Sequence, residues 1–312
     1  MTERIASRTV PLPPPALAAR VGTPDPSDPL AGYDDLGRQL RQYILDVLPA
    51  DWSFEGKRIL DFGCGAGRVL RAFLPEAQVA EFYGCDIDEQ SIEWLDRHLS
   101  PPLHVLRSHE SPPLELPGDS FDLVYATSVF THLADEWSAW LLELHRLLKD
   151  GGYLLATFLG SGMSQRIAEE PWVEGRVGMN VLRHGQSWNL GGPMILHSPW
   201  WIREHWGRAF EIAELREAGV VTEAPGDGHG VVLMRKRAGT FTREELERID
   251  AVTEPRELAA LRHNIRQLHR ESDELEARAA SIDRAYQALE ESRAVRFVRR
   301  LRNAQSRLGR PR

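Results

Sequence analysis

Residues 59–68 read Ile-Leu-Asp-Phe-Gly-Cys-Gly-Ala-Gly-Arg, an apolar strand running into three glycines at alternate positions. Glycines let a backbone turn sharply and let a ligand come within hydrogen-bonding distance of main-chain amides. A helix beginning near Arg68 would also present its N-terminus to a carboxylate or phosphate. The chemistry this predicts is the holding of a nucleotide-like ligand. Nineteen residues beyond Gly67 the next strand ends at Asp86, where a carboxylate can accept hydrogen bonds from both hydroxyls of a ribose. A dinucleotide fingerprint would need glycine at 63, 65 and 68; Arg68 fills the last place and the third glycine is Gly67, which argues against a nicotinamide-dependent oxidoreductase.

A second set of residues could move a proton. Imidazole has the right intrinsic pKa for a general base near neutrality, and His132, His184 and His197 fall near the expected pocket. His132 and His197 are the catalytic candidates. Each has a plain alternative: His132 follows a strand and would serve as well by bonding the turn, and His197 precedes Ser198-Pro199, an N-cap and N1 pair, so it reads equally as helix punctuation. The segment 160–197 carries Trp172, His184, Trp188, Asn189, Gly191, Gly192 and His197. Ring faces for C–H surfaces beside hydroxyl-binding groups suit a neutral polyol or sugar. Trp200, Trp201 and Trp206 read as packing. Two cysteines, Cys64 and Cys85, cannot supply a disulfide framework or a four-ligand zinc site, so no metal is expected and a reducing compartment fits.

The elements that must position these groups follow from periodicity. Short apolar runs at Arg58–Phe62, Phe82–Asp86, His104–Arg107, Phe121–Ala126, Tyr153–Leu159, Phe210–Leu215 and Val231–Lys236 alternate with amphipathic stretches, best seen from Asp135 to Lys149. That alternation predicts an α/β fold with a doubly wound, largely parallel sheet. Ahead of it, seven of the 20 prolines lie in the first 29 residues, so residues 1–32 are expected to be a disordered, Pro-rich arm. From Phe241 onward the pattern is helical. Leu258, Leu261, Ile265, Leu268, Ser272, Leu275, Ala279, Ile282, Tyr286 and Leu289 step by 3 and 4 alternately, which predicts a coiled coil over 241–292 joining two copies of the chain; a helix lying back on the domain is the alternative.

Residues 293–312 hold eight arginines and no acid, a basic amphipathic tail that could lie on an anionic membrane surface. With those eight positive charges removed from the net −8, residues 1–292 carry −16, a field that repels phosphate backbones and disfavours nucleic acid as a partner. No apolar run approaches the length of a membrane-spanning helix and no export signal is apparent, so a cytoplasmic location is expected.

The run D-x-G-x-G-x-G at 61–67, followed by Gly84-Cys85-Asp86-Ile87-Asp88, then Phe121-Asp122-Leu123-Val124, then Leu147-Leu148-Lys149-Asp150-Gly151-Gly152, resembles the class I S-adenosylmethionine-dependent methyltransferases over about residues 35–237. The resemblance implies a domain at 33–238 with a seven-stranded sheet, mostly parallel, ending in an antiparallel hairpin formed by Phe210–Leu215 and Val231–Lys236, and followed here by the long C-terminal helix. It implies S-adenosyl-L-methionine as cofactor. Asp61 with Gly63, Cys64, Gly65 and Gly67 would hold its methionine end, Asp86 its ribose and Ile87 one face of its adenine. Either His109 or Glu110 would meet the adenine amino group. Family members that methylate base amines carry Asn or Asp before Pro-Pro-aromatic after the fourth strand, where this chain has Tyr125-Ala126-Thr127-Ser128. The end of the chain, Leu289 through Arg302, resembles helical tails of bacterial enzymes that build surface polysaccharides. The expectation is an O-methyltransferase acting on a glycan or other small polar acceptor; a coiled-coil assembly protein that binds the cofactor without turnover is the rival.

Overall fold

The computed structural model describes residues 10–21, 25, 27–220, 228–292 and 295. Seven strands form one sheet: β1 (Arg58–Phe62), β2 (Glu81–Asp86), β3 (His104–Arg107), β4 (Phe121–Ala126), β5 (Leu148–Phe158), β8 (Phe210–Val220) and β9 (His229–Lys236), in the order β3-β2-β1-β4-β5-β9-β8. The first five are parallel, and β9 runs antiparallel between β5 and β8. Central β1 and β4 are covered on both faces and therefore read as nearly unbroken apolar runs. On one face Phe121, Trp140, Leu141, Leu144 and Trp206 pack together. On the other, Leu40 and Ile44 of α2 (Tyr33–Val47) meet Ile59, Phe73, Phe82 and Leu95 of α3 (Glu89–Leu99). The order reverses between β1 and β4, so the carboxyl ends of β1, β2 and β4 open on the crevice where doubly wound sheets take their ligands.

Several expectations are corrected. The N-terminal arm is not extended throughout: Pro15–Ala18 is a short helix, α1, continued by a 3-10 turn at Ala19–Val21, with Pro15 at the first helical position and Leu17 and Ala18 buried. In place of a helix from Arg68 there are two 3-10 segments, Leu70–Phe73 and Glu76–Gln78, because Pro75 has no N–H to continue an α ladder. The helix expected over 135–149 is α4, Trp137–Leu147. The segment 160–197, read from sequence only for its acceptor-binding side chains, contains α5 (Ser161–Ala168) and a two-stranded antiparallel sheet of β6 (Met179–Leu182) and β7 (Met194–His197), with Leu159, Met163, Val177, Leu182 and Leu196 forming a small core.

Beyond the sheet the helix is interrupted before it becomes long. Thr242 and Glu245 form a capping box for α7 (Arg243–Glu247), which buries Leu246. The Asp250 carboxylate then accepts the Val252 and Thr253 amides, and Pro255 ends the turn. Only from Arg256 does the chain run as one helix, α8, to Glu291, so helix does not span the whole of 241–292. The tail at 293–312, apart from Val295, lies outside the described residues. Two compact units are distinguished, Met1–Asn264 and Ile265–Arg312. In the second, Ile265, Leu275, Ile282, Tyr286 and Leu289 are all exposed.

The first turn of α8 is tied to the sheet unit by a buried polar pair. His205, at the end of α6 (Pro199–His205), donates from Nδ1 to the Leu246 carbonyl at 2.7 Å and meets the Glu257 carboxylate through Nε2 at 2.6 Å. Both residues are 2% exposed. Removing one partner of such a pair leaves the other unsatisfied in low dielectric. Glu257→Ala should therefore lower unfolding stability by about 3 kcal/mol, and His205→Ala plus Glu257→Ala by much less than the sum; urea midpoints of the three variants check this.

Candidate functional site

The glycine turn is built by close approach. Gly63, Gly65 and Gly67 all have positive φ (80°, 51° and 79°). A Cβ on Gly63 would land on the Val129 side chain, one on Gly65 on Val21, and one on Gly67 on Leu95. The Gly63 and Cys64 amides both donate to the Cys85 carbonyl, at 2.8 and 3.0 Å, which clamps the turn to the end of β2. Asp86 is next in the chain. Its Oδ2 accepts the Gly65 amide at 2.7 Å and its Oδ1 the Asp88 amide at 2.8 Å, the Ile87 amide adds to their pull, and acceptor capacity remains for a ribose hydroxyl. Burial raises the Asp86 pKa, against the pull of those amides.

Asp61 lies beneath the turn, opposite Gly84 on one side and Tyr125 on the other. It is 2% exposed and its Oδ2 is buried with no hydrogen-bond partner. Burial pushes its pKa up to about 8; the Tyr125 hydroxyl pulls it down, the Asp86 charge adds to the rise, and the half-buried Arg68 opposes it. A buried carboxyl oxygen with no hydrogen-bond partner is what an amino-acid ammonium would satisfy. Asp61, the cradle of Gly63, Cys64, Gly65 and Gly67, and Asp86 are thus brought together and fit S-adenosylmethionine. Ile87 is partly exposed beside them. Ser108 is placed next to Asp86 by its amide, which donates to the Asp86 carbonyl at 2.9 Å, while His109 and Glu110 are exposed on the same loop.

The two candidate bases sit in unlike places. His132 closes a turn on Val129, donating its amide to the Val129 carbonyl at 2.9 Å, and Val129 is the residue packed on Gly63. Its Nδ1 lies 2.7 Å from the Pro193 carbonyl. A carbonyl only accepts, so Nδ1 carries the hydrogen and Nε2 the lone pair. Burial lowers its pKa below 6.5, and the ring is neutral at pH 7. His197 is instead an interior residue, 0% exposed, with both ring nitrogens unpartnered and its ring 5.3 Å from Trp201 and 5.4 Å from Trp206. Burial, then the neighbouring His205, lowers its pKa to about 3. The helix-punctuation reading of its neighbourhood holds: Ser198 caps α6 by accepting the Trp201 amide. His184 is exposed, 3.7 Å from Asp135.

One histidine was missed. His229, at the start of β9, puts Nδ1 3.4 Å from the Ser128 hydroxyl; burial, then His132 and Arg166, lowers its pKa to about 4. Ser128 itself has φ 61°. The signal was Gly228-His229-Gly230: in the antiparallel strand Gly230 stands opposite Phe158, whose ring fills the space of a Cβ. Trp172 bonds Glu174, and the loop holding Trp188 folds against His132, Gly192 having room for a Cβ only at 3.3 Å from His132 Nδ1. Among the described residues no group of three His, Cys, Asp or Glu side chains is gathered for a metal ion.

Residues 60–154 match the model of a family described as a methyltransferase domain. Over this stretch the chain is similar to methyltransferase domains, and its strand order β3-β2-β1-β4-β5-β9-β8 is the seven-stranded arrangement that the class I resemblance implies. The chain is 32% identical over 135 residues to a fatty-acid O-methyltransferase of Mycolicibacterium smegmatis, covering 41% of this chain and 46% of that protein. It is 31% identical over 132 residues to a ubiquinone biosynthesis O-methyltransferase of Cereibacter sphaeroides, covering 40% and 52%. It spans about half the length of these curated relatives. A solved S-adenosylmethionine-dependent methyltransferase from Mesorhizobium loti is 19% identical, with a TM-score of 0.46 over 62% of this chain and 96% of that one.

An ammonium seated on Asp61 would make the cofactor's arrival visible as a proton. With a pKa of about 8, its carboxyl is mostly protonated at pH 7, and an ammonium beside it favours the ionised form and lowers that pKa. Cofactor binding at pH 7 should therefore release up to about one proton, a release that fades at pH 9, where Asp61 is already ionised, and vanishes in Asp61→Asn. Calorimetric titration with S-adenosylhomocysteine in buffers of different ionisation enthalpy measures it.

Proposed function

We propose that the chain transfers the methyl group of S-adenosylmethionine to a hydroxyl of a small polar or glycan acceptor, with His132 as general base. The observation that carries this reading is the His132 tautomer: the Pro193 carbonyl holds the hydrogen on Nδ1, leaving a neutral Nε2 on the turn that packs against Gly63. Two of the relatives are O-methyltransferases by name, which supports an oxygen acceptor. When bound, the cofactor supplies a methyl group already activated on a sulfonium. The protein's part is then to align the acceptor with it and to take a proton; orientation alone is worth on the order of 7–11 kcal/mol. His132 Nε2 would take the hydroxyl proton as the acceptor oxygen receives the methyl group. Trp188, 45% exposed on the loop that Gly192 brings to His132, offers a ring face to a sugar's C–H surface, and this supports the glycan class.

The same reading keeps the enzyme in the cytoplasm, where the two free, buried thiols Cys64 and Cys85 are at home. It pairs α8 with its counterpart in a second copy, and it brings the arginine-rich tail to an anionic membrane surface. The exposed stripe Ile265, Leu275, Ile282 and Leu289 supports the pairing. No helix among the described residues is long and apolar enough to cross a membrane.

His132→Ala should lower kcat by roughly 10²–10⁴ while S-adenosylhomocysteine binds as before. Because burial lowers the His132 pKa, the acid limb of kcat should lie below the ordinary imidazole range. Turnover with nucleotide sugars, glycans, fatty acids and phenols, measured against pH, tests both base and acceptor class; full activity in His132→Ala rejects the base. For the helix, the full chain should sediment as a dimer, and Leu275→Asp with Ile282→Asp should sediment as a monomer of unchanged cofactor affinity.

A further inference from the structure

The N-terminal segment at 10–21 crosses the site rather than trailing from it. It is fastened at its start, where the Val10 carbonyl accepts the Arg71 guanidinium at 2.9 Å, and Arg71 also pairs with Asp34 of α2. In its middle, Leu17 joins the apolar cluster that contains Cys64 and Ala66 of the glycine turn. At its end two contacts straddle Asp86. On one side Val21 occupies the space above Gly65 that a side chain would fill, and the Gly65 amide is the one bonded to Asp86 Oδ2. On the other, Arg20 Nη1 grips both oxygens of Asp88, at 2.6 and 2.7 Å, while Nη2 reaches Gln90 at 2.7 Å. The Asp88 amide is bonded to Asp86 Oδ1, and its Oδ2 also accepts the Ser91 hydroxyl.

From this geometry we infer that Pro15–Val21 is part of the cofactor site, a strap whose Val21 walls the adenosine and whose Arg20–Asp88 latch must open for the cofactor to enter or leave. The inference rests on the reading that the glycine turn and Asp86 bind S-adenosylmethionine. The strap has the right construction for a latch. Its apolar anchor is small, Leu17 and Ala18, and its far end is held by one guanidinium nitrogen set between the two oxygens of a carboxylate. The Arg20 side chain is 38% exposed and Asp88 8%, so the pair is strong enough to fix the strap yet open to water on the arginine side, where salt can compete for it. Asp88 stays in place when Arg20 lets go, because the Ser91 hydroxyl and its own amide hold it. Opening therefore moves the strap and leaves the β2 end intact.

The test is stopped-flow exchange of S-adenosylhomocysteine on the full chain. Arg20→Ala should speed dissociation by about 10-fold and association by less, Arg20→Lys should recover part of the difference, and in the wild type the exchange rate should rise with ionic strength. Trypsin should cut after Arg20 at least 10-fold more slowly with the ligand bound, since the strap must open to be cleaved. A strap that only stabilises the fold would give the opposite pattern: a lower melting temperature in Arg20→Ala, dissociation within twofold of the wild type, and tryptic cleavage indifferent to ligand. That result overturns the inference while leaving the cofactor site standing; failure of the wild type to bind S-adenosylhomocysteine overturns the cofactor reading and the strap with it.

Discussion

The carboxyl edge of the sheet depends on backbone standing where side chains would otherwise be. At residues 63, 65 and 67 the chain turns left-handed three times in five residues, and each time a neighbour, Val129, Val21 or Leu95, fills the volume a Cβ would need. The amides freed by the turn converge on the Cys85 carbonyl and on Asp86, so the ends of β1 and β2 are fixed relative to each other by hydrogen bonds a side chain at these positions would prevent. Val129 then carries the constraint to β4, because His132 is fastened to it by a backbone bond. Three separated stretches, Asp61–Gly67, Asp86–Asp88 and Ser128–His132, are in this way set by one packing event.

Electrostatics at the same edge run against ordinary stability. Asp61 and Asp86 are two carboxyls with pKa values raised mainly by burial; Asp86 adds to the rise of Asp61, Asp88 to that of Asp86, and Asp61 and Asp86 both to that of Cys64. Keeping a charge there is unfavourable, and burial, by raising the Asp61 pKa to about 8, favours its neutral form at pH 7. A site that holds unsatisfied polar groups in its empty form gains more from a complementary ligand than one already satisfied, since both partners lose water together with a matched contact to replace it.

Much of this was legible from residue order alone, and the rest failed for identifiable reasons. Strand positions β1, β3 and β4 could be read because each is a short apolar run bounded by polar or turn residues, and the glycine turn because its spacing is unusual. Within the N-terminal arm, whose residues 1–9, 22–24 and 26 lie outside the described ones, the stretch 10–21 departs from the expectation drawn from proline content, because Pro15 at the first helical position starts α1 and Leu17 and Ala18 dock it. The β6–β7 pair was missed since four-residue strands in a glycine- and tryptophan-rich stretch carry no clear alternation. Histidine identity says little about environment. His132 and His197 looked equivalent in sequence, but one is held in a single tautomer by a carbonyl and the other is sealed among tryptophans with no partner at all.

The C-terminal helix shows how one element can serve two solvents. Its first turns are specified by polar groups that must be satisfied indoors: Glu257 on His205, and Asn264, which accepts the Val181 amide at 2.9 Å. Such bonds contribute little net stability but fix direction and register, because any other arrangement leaves them unpaired. Past Asn264 acidic and basic residues mix with alanine, serine and glutamine around a stripe of exposed leucine and isoleucine. A helix of 36 residues is long enough to persist through its own backbone bonds, so the stripe is not needed to keep the helix folded. What it supplies is apolar area repeating at the 3.5-residue period, which a single straight helix cannot bury against itself but a second helix winding around it can.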